Sequence, residues 1–225
     1  MSHKHKHHEQ HEQQRQNNTG GIIAIMLTIV VTGGLVYLGL SNKPASSASK
    51  ATEDSSMEGH HSGASGPVTD INTLVGQPAP DFQLTDHSGK TYALSQLKGK
   101  KIVLFFNEGL MCYPACWNQI ASLGADARFK GEDIVALSVV VDPTKDWNDA
   151  IEKMPELAVA TVVHDTGGAV SSMYGMLKTA SSMHYGQLPG HSYVVIDKEG
   201  IVRHVYDDPN MAIHNDALAA EVAKI

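Results

Sequence analysis

Cysteine is scarce: Cys112 and Cys116 are the two in the chain. Two cysteines cannot build a four-cysteine zinc site or a multi-bridge disulfide scaffold. Positive charge is also short, with 17 Lys and Arg against 24 Asp and Glu and a net charge of −7. That balance argues against a nucleic-acid partner. There is no internal repeat, no G-x-G-x-x-G and no phosphate-binding glycine loop, so solenoids and the common nucleotide motifs are out. What remains is 225 residues, 42% hydrophobic and 18% charged. This is one ordinary domain of about 150 residues with appendages.

Histidine is abundant, 13 in all, and five fall in the first eleven residues. Residues 1–20 have no apolar side chain between Met1 and Thr19. They cannot form a core, so this segment reads as a disordered tail. A His-rich tract can bind metal and can equally be a solvated tail. Residues 21–40, GIIAIMLTIVVTGGLVYLGL, carry no charge and have no polar face. Twenty helical residues span a hydrocarbon core of about 30 Å, so one transmembrane anchor is expected. Lys4, Lys6 and Arg15 precede it, which puts the tail in the cytoplasm and the rest outside. The expected location is therefore the cell membrane, single-pass, with an extracytoplasmic C-terminal domain where a disulfide persists. Residues 41–70 are rich in Ser, Ala and Gly and read as a flexible linker.

Residues 71–225 read as one domain. Alternation at 82–85 and 91–94 around the turn Asp86-His-Ser-Gly-Lys90 predicts a β-hairpin. The apolar run at 101–106 predicts a strand buried on both faces. A helix is expected over 114–129, a strand over 134–141, a helix over 145–154 and a strand over 160–163. A helix over 168–176, strands over 192–196 and 201–206, and a closing helix over 213–222 complete the order. Strand–helix alternation predicts an α/β domain with a largely parallel central sheet, helices on both faces and an antiparallel terminal edge.

The informative stretch is Phe105-Phe-Asn-Glu-Gly-Leu-Met-Cys112-Tyr-Pro-Ala-Cys116-Trp117. A buried strand ends and a helix begins at the cysteines. Pro114 fits the first helical turn. The free N–H groups and dipole of a helix start stabilise a thiolate, which makes a cysteine there a nucleophile. In an ideal helix, residues four apart lie about 6.2 Å apart between Cα atoms, near the long end of the range a disulfide allows. A non-helical Cys112 would shorten that distance. Such a bridge closes a small loop, contributes little to stability and suits redox cycling.

From Gly76-Gln-Pro-Ala-Pro-Asp-Phe82 to the C-terminus, the chain resembles the redoxin, or AhpC/TSA, branch of the thioredoxin superfamily. The matching pieces are the APDF entry, the hairpin, KIVLFF, the strand–Cys–helix junction and HSYVVIDKEGIV. The resemblance implies a thioredoxin-like mixed sheet and thiol redox chemistry. Peroxiredoxins carry Pro-x-x-x-Thr-x-x-Cys at the reactive cysteine. Here the position three before Cys112 is Gly109 and the position seven before it is Phe105. Membrane-tethered disulfide oxidoreductases use Cys-x-x-Cys, one residue shorter. Sco-type copper chaperones use Cys-x-x-x-Cys with a later His. In thioredoxin-like proteins the residue before the last strand pair faces the cysteines, and here it is His191. It could ionise the thiols or complete a Cys₂His copper(I) site.

Three readings follow. The first is a membrane-anchored thiol-disulfide oxidoreductase with Cys112 attacking, Cys116 resolving and His191 assisting. The second is a peroxiredoxin-like thiol peroxidase. The third is a copper-delivery module with Cys112, Cys116 and His191 as ligands. The two redox readings call for no cofactor and no metal. Their partners are protein or small-molecule thiols and disulfides, or peroxides. Trp117 is expected to pack over the helix start, and His164-Asp165 to be a strand end rather than a dyad. Met173, Met176 and Met183 are expected to be core rather than ligands.

Overall fold

The computed structural model describes residues 67–225. The expected tail over 1–20, anchor over 21–40 and most of the linker over 41–70 lie outside the described residues. Among the described residues no helix is long and apolar enough to cross a membrane.

Seven strands form one sheet: β1 (Gln83–Asp86), β2 (Thr91–Ala93), β3 (Lys101–Phe106), β4 (Ile134–Val140), β5 (Val162–His164), β6 (Ser192–Ile196) and β7 (Val202–Asp207). Their spatial order is β2-β1-β5-β4-β3-β6-β7. Among the described residues four α-helices accompany them: α1 (Ala115–Ala125), α2 (Thr144–Lys153), α3 (Ala169–Met173) and α4 (Asn215–Val222).

The strand period of two sorts β3 onto two cores. Ile102, Leu104 and Phe106 pack with Val194, Ile196, Val170 and Tyr174 on one face. Val103 and Phe105 pack with Tyr193, Val195, Trp117, Ile120, Trp147 and Leu218 on the other. Side chains of α1, α2 and α4 therefore cover one face, and those of α3 the opposite one. This double burial is why KIVLFF shows no polar alternation.

The sheet is mixed, but the expectation of a largely parallel one is corrected. Only β3 with β4 and β4 with β5 run parallel. The other four pairings are antiparallel. Strand–helix alternation reports only the crossover strands. The two hairpins join the sheet through long-range pairs, Thr85 with His164 and Phe106 with Ser192, which no local pattern encodes.

Helix ends also differ from expectation. α1 stops at Ala125, where the Asp126 side chain accepts from Arg128 N and caps a 3-10 turn at Ala127–Phe129. Phe129 is buried and keeps the apolar spacing without continuing the helix. α3 stops at Met173, because Gly175 turns left-handed at φ 73° before a 3-10 turn at Met176–Lys178. The strand expected at 160–163 is set two residues later at its start, as Val162–His164.

Candidate active site

The chain leaves the centre of the sheet at Phe106 and crosses a short loop into α1. Asn107 and Glu108 follow, both buried. Asn107 Oδ1 accepts from Gly109 N at 2.9 Å and starts a 3-10 turn at Gly109–Met111. Pro114 sits at the cap of α1 after a cis Tyr113–Pro114 bond. It thus lies just outside the first turn, one position before the place that the sequence predicts. Cys116 is the second residue of α1, and its N–H donates to the Cys112 carbonyl at 2.9 Å.

Cys112 and Cys116 form a disulfide with Cα atoms 5.3 Å apart. The separation is shorter than an ideal helix gives, because Cys112 has the non-helical angles φ −103° and ψ 50°. Cys112 keeps a trace of exposure and Cys116 has none. Around Cys112 the rim is apolar: Met111 is 60% and Tyr113 69% exposed. Trp117 is the packing residue expected, and its Nε1 donates to Gly109 O at 3.1 Å, pinning the turn to the helix.

Gly109 stands where the peroxidase motif has Thr, and the structure gives the reason. At φ 57° it is left-handed, and an added Cβ would lie 1.7 Å from Asp142 Oδ2. The Asp142 carboxylate fills that space and accepts from Leu110 N at 3.1 Å. Burial raises its pKa. Both described arginines are engaged elsewhere. Arg203 pairs with Asp197, beside the Ile196 end of β6, and Ile196 lies opposite Ile102, far from the Phe106 end of β3. Arg128 pairs with Asp126 and Asp216 past the C-terminal end of α1.

His191 lies immediately before β6 and is fully buried, not on the surface. Its Nδ1 is 3.5 Å from Cys116 Sγ. Nε2 is 3.3 Å from the Ala212 carbonyl and 2.9 Å from Tyr193 Oη. The carbonyl only accepts and so pairs with the Nε2–H tautomer, whereas the Tyr193 hydroxyl serves either tautomer. With the proton on Nε2, the Nδ1 lone pair faces Cys116. The Phe105 ring closes in at 4.7 Å. Burial pulls the His191 pKa down to about 4. At neutral pH the ring of this oxidised form is therefore uncharged. Ligand atoms of Cys112, Cys116 and His191 all lie within 4.8 Å of one another. The three residues named from sequence thus converge.

Other expectations separate. His164 Nδ1 meets the Asp142 carbonyl at 2.8 Å, while the Asp165 carboxylate accepts from Val170 N, Ser171 N and Ser171 Oγ at the start of α3. They form no dyad. Met176 is core, and Met173 is exposed.

Two neighbours escaped the sequence reading. Buried Glu108 accepts from Met183 N at 2.6 Å, His184 N at 3.0 Å and His184 Nδ1 at 2.9 Å, tying a distant loop to the cysteine turn. Met211 Sδ lies 3.7 Å from Cys112 Sγ, across a sequence gap of 99 residues. The bridged sulfur carries no proton, so this is a sulfur–sulfur contact in the disulfide. Nothing in the local sequence around Met211 marks it.

Residues 75–205 match the AhpC/TSA family. The chain belongs to that family. Peroxiredoxin Q of the chloroplast of Populus jackii is 32% identical over 141 residues, 59% of this chain and 60% of that protein. Peroxiredoxin Bcp of Escherichia coli (strain K12) is 27% identical over 147 residues, 64% of this chain and 92% of that protein. The match spans about three fifths of the Populus relative's length. The crystal structure of peroxidoxin BcpB from Mycobacterium tuberculosis superposes with a TM-score of 0.54 at 23% identity, covering 68% of this chain and 97% of that one. The mitochondrial 2-Cys peroxiredoxin of Plasmodium falciparum gives 0.55 at 21%, covering 67% and 94%. The described domain is a thioredoxin-like α/β fold with a mixed seven-stranded sheet.

Proposed function

We propose that this chain is a peroxiredoxin-like thiol peroxidase that closes one intramolecular disulfide per turnover. The Cys112–Cys116 bridge at the strand-to-helix junction of an AhpC/TSA chain carries this reading. The Cys112 thiolate, favoured by the start of α1, attacks a peroxide oxygen. The O–O bond breaks, Cys112 becomes a sulfenic acid, and the leaving alkoxide takes a proton to depart as alcohol or water. Cys116 gives its proton to His191 Nδ1 and attacks the sulfenic sulfur. The disulfide forms, and hydroxide leaves as water with that proton. An external dithiol then reduces the bridge and is itself oxidised to a disulfide. Stopped-flow peroxide consumption tests this. A second-order rate well above that of free cysteine supports it, and a rate no faster refutes it.

A second reading, dithiol–disulfide exchange with an external partner, is favoured by one observation. Gly109 offers no hydroxyl to a peroxide, and Asp142 fills the space a side chain there would need. Reduction of a protein disulfide without peroxide turnover would select it. In either reading, the uncharged run over 21–40 supports membrane anchoring with the domain outside. Membrane fractionation with protease accessibility of intact cells tests that placement.

A further inference from the structure

We propose that the reduced cysteine pair is also a four-donor site for a soft monovalent metal, with Met211 as the fourth ligand. The inference goes beyond peroxide chemistry and does not depend on it. The donors are two thiolates, one imidazole nitrogen and one thioether. Cys112, Cys116 and His191 lie within 4.8 Å of one another by their ligand atoms, all buried. Met211 Sδ is 3.7 Å from Cys112 Sγ, and His191 Nδ1 is 3.5 Å from Cys116 Sγ. A tetrahedral site with metal–sulfur bonds of about 2.3 Å has edges of about 3.8 Å. Two edges of the quartet are thus already near that length. The edge that must lengthen is the S–S bond itself, and reduction breaks it.

The approach of Met211 is built rather than incidental. Its backbone is left-handed at φ 51°, a conformation a side-chain-bearing residue rarely adopts. Buried Asp208 holds that turn by accepting from Asn210 N at 3.0 Å and Ala212 N at 2.7 Å. The same loop presents the Ala212 carbonyl to His191 Nε2. One turn therefore places the thioether beside Cys112 and holds the ring with Nδ1 toward Cys116. A second group that orients a ligating imidazole through its other nitrogen is a recurrent feature of metal sites.

The donor set selects the metal. Thiolate and thioether sulfur favour copper(I) over hard cations, and none of the four donors is a carboxylate. The balance is simple. An external dithiol reduces the bridge and becomes a disulfide. The two thiols then release two protons as they bind one copper(I).

The test uses the full chain, reduced with a dithiol, freed of it without air and titrated with copper(I) against a bicinchoninate competitor. A Cys112→Ser/Cys116→Ser control subtracts binding by the remaining histidines. One cysteine-dependent copper(I) per chain is expected. X-ray absorption should give three sulfur neighbours and one nitrogen. Met211→Leu should lower the affinity about 10-fold or more and the sulfur count to two. Met211→Gly relaxes the backbone and also lacks sulfur, so it should behave the same way. Absence of cysteine-dependent copper(I) binding overturns the site as a whole. Two sulfurs in the unaltered chain, or unchanged affinity in both variants, overturns the role of Met211. Failure of peroxide turnover alone touches neither.

Discussion

The two sulfurs of the bridge sit in different surroundings. Cys112 lies in a loop, with exposed Met111 and Tyr113 beside it and the Met211 thioether against it. Cys116 lies inside α1, fully buried, with His191 as its polar neighbour and Phe105 and Tyr193 around that ring. A reactant from solvent therefore meets Cys112 first. Proton transfer, by contrast, is available at Cys116. The difference is the ground for proposing attack by Cys112 and resolution by Cys116, although both lie at one helix start.

Exchanging the cysteines breaks this comparison most severely. Cys112→Ser should abolish peroxide consumption. Without reductant, Cys116→Ser should still consume about one equivalent per chain, because the first step needs only Cys112. Peroxide counted per chain in the two variants checks this, and equal loss in both would contradict it.

His191→Phe sharpens the comparison on the buried side. It should slow closure of the disulfide by about 100-fold, the scale of a lost general base. Formation of the sulfenic acid should change by no more than about 3-fold. Separating the two phases by stopped-flow fluorescence distinguishes this from general damage, which would slow both.

The same burial makes stability depend on acid. Folded His191 titrates at about 4, below its ordinary 6.5, so the unfolded chain binds more protons between those values. Its contribution is fully present above pH 6.5 and is lost as pH falls through 4, to a total of about 3 kcal/mol. Burial lowers the pKa of His164 as well, which adds in the same direction. Urea denaturation at pH 7 and pH 4 should show the loss, and His191→Phe should reduce it. A pH-independent midpoint would contradict it.

The exposed side has a smaller test. Gly109→Ala places a Cβ against the Asp142 carboxylate on a left-handed backbone. It should cost about 1–3 kcal/mol, read as a shift in the urea midpoint. Asp142→Ala in the same chain should recover part of the cost.

Much of this site was legible in the chain. KIVLFF reads as a doubly covered strand, and the cysteine pair after it as lying at a helix start. His191 followed from its place before the last strand pair. The pairing of the hairpins was not legible, since β1 meets β5 across almost eighty residues. Nor were Glu108 and Met211, which read as loop residues and gain meaning only from partners brought in by the tertiary fold. Gly109 stands in the sequence where the peroxidase motif has Thr, yet its reason lies in Asp142, on the loop after β4.

The division of labour between the sulfurs is tested most directly by trapping. The Cys116→Ser chain is treated with one equivalent of peroxide and then dimedone, and the peptides are read by mass spectrometry. A single adduct on Cys112, formed faster than on free cysteine, is the predicted result. No adduct there, in a chain that stays folded, would contradict attack by Cys112.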